Sequence, residues 1–209
     1  MKRKTTDGAL KNKERTRKKF LHAVGKILKS KGYMALKVND IASIAGADKK
    51  LIYDYFGGTD KLIDEYIGSQ DFWSNVRYEP KQADLKDGGQ ALTKALLLSQ
   101  FDYVFKNKEL QKIVLWGLSE KRRSLKKLAD NREKEGEAVF KNICDPHFGT
   151  KAPVYRAITA LLVSGIYYLN IYATTNNNTF CGLDLTKTEG RIAVQEAIDF
   201  IIDKAYVDL

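Results

Sequence analysis

Apolar residues recur at helical spacing along most of the chain. Between Lys13 and Lys31 they fall at Phe20, Leu21, Val24, Ile27 and Leu28, with Lys and Arg on the other face and Gly32 as a stop, which predicts a first helix. Residues 1–12 show no such period and read as a mobile basic arm. Val38, Ile41, Ala42 and Ala45 predict a short helix ended by Gly46. Asp48 is placed to cap a second short helix through Leu51, Ile52, Tyr53 and Tyr55, ended by Gly57 and Gly58. Thr59 then caps a longer helix carrying Leu62, Ile63, Tyr66, Ile67 and Trp73.

Beyond a loop at residues 79–89, helices are expected near 90–106, 108–118 and 119–143, the last highly charged but keeping Leu125, Leu128, Val139, Phe140 and Ile143 on one stripe. Pro146 and Pro153 bracket a loop. Residues 154–173 are apolar almost all round, and a Thr186/Glu189 capping box precedes a final helix with Val194, Ala197, Ile198, Ile201, Ile202 and Ala205. No stretch alternates as a strand would. The pattern therefore predicts an all-α protein.

Charge divides this helical text in two. Residues 1–61 hold 16 Lys or Arg against 6 Asp or Glu, a net +10, while residues 62–209 hold 20 of each. A basic block joined to a neutral body points to a polyanion-binding module and a second module with another task. Nucleic acid fits best, since a helix lying on a membrane needs an open apolar face. The segment 157–173 is interrupted by Thr159, Ser164, Gly165 and Asn170 and is too short to span a bilayer, so no membrane partner is expected. The first residues lack a secretory apolar stretch, which suggests a cytoplasmic protein. Two Cys and two His, with no ligand spacing among them, predict no metal and no cofactor. Cys144 and His147 are close in sequence but lack a nucleophile–base architecture, so no catalytic residues and no enzyme activity are expected.

Within the basic block, Ala42 followed by Gly46, with Ile41, Ala45, Ala47 and Ile52 apolar, has the spacing of a helix-turn-helix, although any helical hairpin with small residues at its crossing shares it. In that unit the second helix enters the major groove, which would turn Lys49, Lys50, Tyr53 and Asp54 toward DNA. The cluster containing Arg17 and Lys18 either grips the backbone beside the groove or is a solvated face. Gly32-Tyr33, Val38, Asp40-Ile41-Ala42, Ala45-Gly46, Tyr53, Tyr55-Phe56 and Leu62, in register, resemble the amino-terminal domain of the tetracycline-repressor (TetR) family over about residues 13–67.

The resemblance implies an arm at 1–12, a three-helix DNA-binding domain at 13–57, and a larger helical ligand-binding and dimerisation domain at 58–209. It further implies a homodimeric transcriptional regulator, usually a repressor, that binds a palindromic operator in double-stranded DNA and answers to a small-molecule effector. The sequence departs from the family at Leu36, Lys37, Lys50, Leu51 and Thr59, where small, Thr, Ser or Lys residues are usual and some touch phosphates. Lys37 and Lys61 then offer charge from neighbouring positions. Those departures motivate an alternative: a TetR-like protein that has lost specific recognition and acts through a protein partner or nonspecific DNA binding.

For the second domain the large rings suggest a ligand pocket lined by Trp73, Phe101, Phe105, Trp116 and Tyr168, on helices that line pockets in the family it resembles. The small residues Ala157, Ser164 and Gly165 with Leu161, and the stripe Val194, Ile198, Ile201 and Ile202, are the expected dimer interface. An uncovered face this apolar would otherwise be an exposed patch.

Overall fold

A computed structural model describes residues 4–70, 86–176 and 179–209, with side chains from residue 10 onward. The chain separates into two compact units, one of Met1–Asp71 with Lys112–Ala129 and the other of Phe72–Gln111 with Asp130–Leu209.

In the first unit, α1 (Lys4–Lys31) is followed by a 3-10 turn at Tyr33–Ala35, α2 (Val38–Ala45), α3 (Lys50–Phe56) and α4 (Thr59–Ser69). The helix begins at Lys4, so residues 4–12 are not the unstructured arm that their lack of apolar period suggests. That period reports a buried face, whereas a solvated helix needs only adequate propensity, which Leu10, Lys11, Lys13 and Glu14 supply. Phe20, Ala23, Val24, Ile27 and Leu28 of α1 are completely or almost completely buried against Ile41, Ile52, Leu62 and Ile67 of the next three helices. Phe20 meets Phe56 edge-on, with ring centroids 6.2 Å apart.

The fourth helix thus shares the core of the first three. Its buried Leu62, Ile63, Tyr66 and Ile67 move the division between units from 57 to 71.

Residues 112–129 complete this unit, drawn from α6 (Lys108–Ser119) and α7 (Arg123–Val139). Ile113, Trp116, Leu125 and Leu128 enter the same core. Trp116 stacks on Tyr33 at 4.8 Å and donates its indole N–H to Glu120 at 3.1 Å. Burial, together with the charge of Glu120, pushes the Tyr33 hydroxyl above its ordinary pKa. Arg122 clamps α4, donating to Asp64 Oδ1 from Nε at 3.0 Å and from Nη2 at 2.7 Å, and to the Asp60 carbonyl at 3.1 Å.

The second unit is built on α5 (Gln90–Lys106), whose first turn is closed by Asp87, its two carboxylate oxygens accepting the Gly89 and Ala91 amides at 2.9 Å each. α9 (Ala152–Asn176) and α10 (Thr188–Asp208) pack against α5. Between α7 and α9 the chain passes through a π-helical turn at Phe140–Cys144, the short α8 (Asp145–Phe148) and a 3-10 turn at Gly149–Lys151, so the Pro146–Pro153 segment is helical and not a loop. Pro146 sits in the first turn of α8, where its missing N–H costs nothing.

The Thr186/Glu189 capping box does not form. Asp184 instead accepts the Thr186 hydroxyl at 2.6 Å and its amide at 3.0 Å, and α10 starts after Lys187. That turn lies hard against the helix, since a Cβ on Gly190 would sit 2.2 Å from the Asp184 carbonyl oxygen. Among the described residues the only β feature is an isolated bridge between Phe180 and Leu183.

Several polar groups buried in the second unit find partners within it. Asn170, wholly buried, donates to the carbonyls of Ile166 at 2.8 Å and Phe101 at 3.2 Å and accepts from Arg191 at 3.1 Å. Tyr155 donates to Thr93 at 3.0 Å beside Cys144, and burial pushes its hydroxyl up to about 12.

Candidate nucleic-acid interface

The turn between α2 and α3 is set by Gly46, which caps α2 in the left-handed region at φ 59°, ψ 43°. A Cβ would be strained in that conformation, which explains Gly at this position. The Ala47 amide returns to the Ala42 carbonyl at 3.2 Å, closing the helix end. Asp48 then starts α3, its carboxylate accepting the Lys50 amide at 2.8 Å, as the sequence predicts.

α3 carries Ile52 and Phe56 inward and leaves Lys49, Lys50, Tyr53 and Asp54 exposed. Positions 50, 53 and 54 share one helical face, and Tyr53 is 57% exposed, a large ring turned to water. Lys49 is held toward α2 by a 3.3 Å hydrogen bond to Asn39 Oδ1. Asn39 is a polar position on this surface that local spacing does not reveal, because its partner is ten residues away. Lys37, at the start of α2, and Lys61, on α4 with its stem over Gly57, are also exposed, as is Lys18.

Arg17 is placed otherwise. Its guanidinium lies 4.2 Å from the Phe56 ring centroid, donates to the Tyr55 carbonyl and forms a two-pronged pair with Glu65 at 2.6 and 2.7 Å. These contacts tie α1 to the end of α3 and to α4, so Arg17 is a packed side chain and not part of a solvated face.

The residues expected to line a ligand pocket fall in different units. Trp73 lies outside the described residues. Trp116 belongs to the core of the first unit, stacked on Tyr33. In the second unit Phe101 is fully buried, and Arg191 lies 4.2 Å from its ring and 4.0 Å from that of Phe105. Tyr168 is 54% exposed and clusters with Tyr172 and Phe180 at the surface.

Of the expected dimer residues, Ala157, Leu161, Ser164 and Ile201 are exposed and Gly165 and Val194 partly so. Ile198 and Ile202 are buried within the protomer, where α10 packs on α5, and are core residues and not interface residues. Among the described residues no group of His, Cys, Asp and Glu is arranged to hold a metal ion.

Residues 21–66 match the family model of the bacterial regulatory proteins, tetR family. No curated protein and no solved structure matches the chain.

Proposed function

We propose that the chain, whose residues 21–66 match the tetR family model, is a DNA-binding transcriptional regulator that works as a cytoplasmic homodimer and represses transcription from a palindromic operator. The observation that carries this reading is the α2–α3 pair, with Gly46 at its turn and Lys49, Lys50, Tyr53 and Asp54 on one open face. In a dimer two such faces, held about 34–36 Å apart or at a multiple of that spacing, meet successive major-groove half-sites. Lys37 and Lys61 serve as phosphate contacts in this arrangement.

A second copy is supported by the outer stripe of α9. Val154, Ala157, Leu161, Ser164 and Tyr168 fall at heptad spacing and are all exposed, and Ile192, Phe200 and Ile201 of α10 are exposed as well. The helical run Arg123–Asn176 contains a stretch apolar and long enough to cross a membrane, and most of that stretch is not buried in the protomer.

The effector acts as a population shift: a small molecule that binds the second unit better in one arrangement changes the separation of the recognition helices and lowers operator affinity. Selection of duplexes from a random pool, followed by salt titration against a scrambled sequence, tests the whole reading. A palindrome bound about a thousandfold tighter than scrambled DNA is expected.

A second reading has its own observation. Residues 37–61 hold four Lys and four Asp, so the helix-turn-helix itself is neutral, and the family's usual residues are absent at Leu36, Lys37, Lys50, Leu51 and Thr59. No enriched motif, with equal affinities that collapse together as salt rises, would replace the operator-binding reading with nonspecific DNA binding or a protein partner.

A further inference from the structure

The net charge of the basic third is confined to its first helix and the residues before it. Residues 1–36 hold twelve Lys or Arg against two Asp or Glu, a net +10, while residues 37–61 are neutral. No acidic residue occurs between Glu14 and Asp40. The structure turns this run into a surface. Lys11, Arg15, Lys18, His22 and Lys26 recur at intervals of four, three, four and four along α1, which places them within one narrow strip, and all five are exposed. The strip runs about 22 Å along the helix at 1.5 Å per residue.

It lies opposite Phe20, Val24 and Ile27, the side that packs on α2, α3 and α4. The cations at the edges of the core face are engaged inward, Lys13 over the Tyr55 ring and Arg17 on Glu65 and Phe56. Those of the outer strip have no ion-pair partner among the described residues.

We propose that this outer face of α1 is a second docking surface for duplex DNA, separate from the α2–α3 face, gripping the phosphate backbone without reading bases. The four cations Lys11, Arg15, Lys18 and Lys26, with Glu14 the only carboxylate among residues 10–36, are complementary to a polymer bearing regularly spaced anions. Lipid fits less well, because the apolar side of α1 is committed to the core and the outer strip offers nothing to insert between acyl chains. The face also points away from the core that α3 shares, so it engages a duplex segment other than the one in the groove of the recognition helix.

The test uses the full-length protein and a generic duplex of about 40 base pairs, titrated from about 50 mM salt upward. The strip variant is K11Q/R15Q/K18Q/K26Q; Gln has nearly the helix propensity of Lys and Arg, so the fold is preserved and circular dichroism verifies it. The comparison variant is K49A/K50A/Y53A. The strip variant is expected to lose generic affinity on the order of 100-fold at low salt and to flatten the salt slope by about three, while the α2–α3 variant keeps most of both.

Unchanged affinity and slope in the folded strip variant would overturn the proposal, as would loss of all generic binding in the α2–α3 variant alone. Vesicles of phosphatidylserine or a polyglutamate peptide bound more tightly than the duplex at equal salt, and lost in the strip variant, would overturn the assignment to nucleic acid. Because generic DNA is the probe, failure here leaves operator selection by the α2–α3 face as a separate result.

Discussion

Leu161→Glu separates the proposed dimer face from a core face on the same pair of helices. Leu161 is 74% exposed on α9, and Ile198, 3% exposed on α10, is packed inside the protomer. Fully burying a Leu side chain contributes about 1.5–3 kcal/mol, so with three-quarters of its surface open, a partner copy recovers roughly 1–2 kcal/mol there. Two-fold symmetry repeats the contact, giving about 2–4 kcal/mol per dimer, or about 30- to 1,000-fold in dimer Kd. The charge of Glu adds a desolvation cost on top of that loss.

Sedimentation velocity over a concentration series, with helical content followed by circular dichroism, is the assay. Leu161→Glu should give a folded monomer where the parent chain is dimeric, and Ile198→Glu should lose helical content outright. Equal dimer Kd values for the parent and the Leu161→Glu chain would refute the placement of the interface. A folded monomer from Ile198→Glu, with unfolding from Leu161→Glu, would reverse the two faces.

Two glycines in the first unit should respond to Ala in opposite directions. A Cβ on Gly25 would stand 2.5 Å from Tyr66 Oη and 3.0 Å from its Cζ, and overpacking of about 1–3 kcal/mol there outweighs the roughly 0.8–1 kcal/mol gained in helix propensity. Gly68→Ala meets nothing within 4 Å and should stabilise by that propensity alone; equal melting temperatures for the two variants would contradict the packing of α1 on α4. Arg17→Ala should lower the melting temperature yet leave the salt slope of DNA binding unchanged, and a slope reduced by about one would return Arg17 to the phosphates.

Arg156 pairs with Asp145 at 2.6 and 3.0 Å and with Glu137 at 2.5 and 3.1 Å, holding both carboxyls below their ordinary values. Groups so depressed stabilise the fold above the unfolded-state pKa near 4, and that contribution disappears as pH falls through the folded value. Arg156→Gln should therefore weaken the protein at pH near 7 and shrink the difference between urea midpoints near pH 7 and pH 3. An undiminished difference would mean the three side chains are not coupled.

The helix-turn-helix was legible because its determinants are local. The Gly46 stop, the Asp48 cap and the inward Ile41, Ala45 and Ile52 lie within a dozen residues of one another, and their spacing alone dictates a turn between two short helices. The candidate DNA face follows from the same register, since any residue one-half turn from Ile52 and Phe56 must look outward. The pocket residues were not legible in this way. Trp116 satisfies helical periodicity equally well as core or lining, and its stack on Tyr33 joins positions 83 residues apart, which no local pattern records. The start of α1 at Lys4 escaped for the converse reason, that residues 4–12 carry no apolar period to display.

Local chemistry by itself determined the helices, their stops, the basic first third and the register of the α2–α3 pair, because propensity, capping and amphipathic period act within a few turns of chain. Tertiary packing decided which apolar stripe became core and which stayed open. On α10 it took Ile198 and Ile202 inward against α5 and left Phe200 and Ile201 outside, although the four residues are equally apolar and share one helix. It also drew Arg17 onto Glu65, 48 residues away, while leaving Lys18 beside it exposed. A sequence records how apolar or charged each residue is; the free energy of burying or pairing it depends on what the rest of the chain brings to that face.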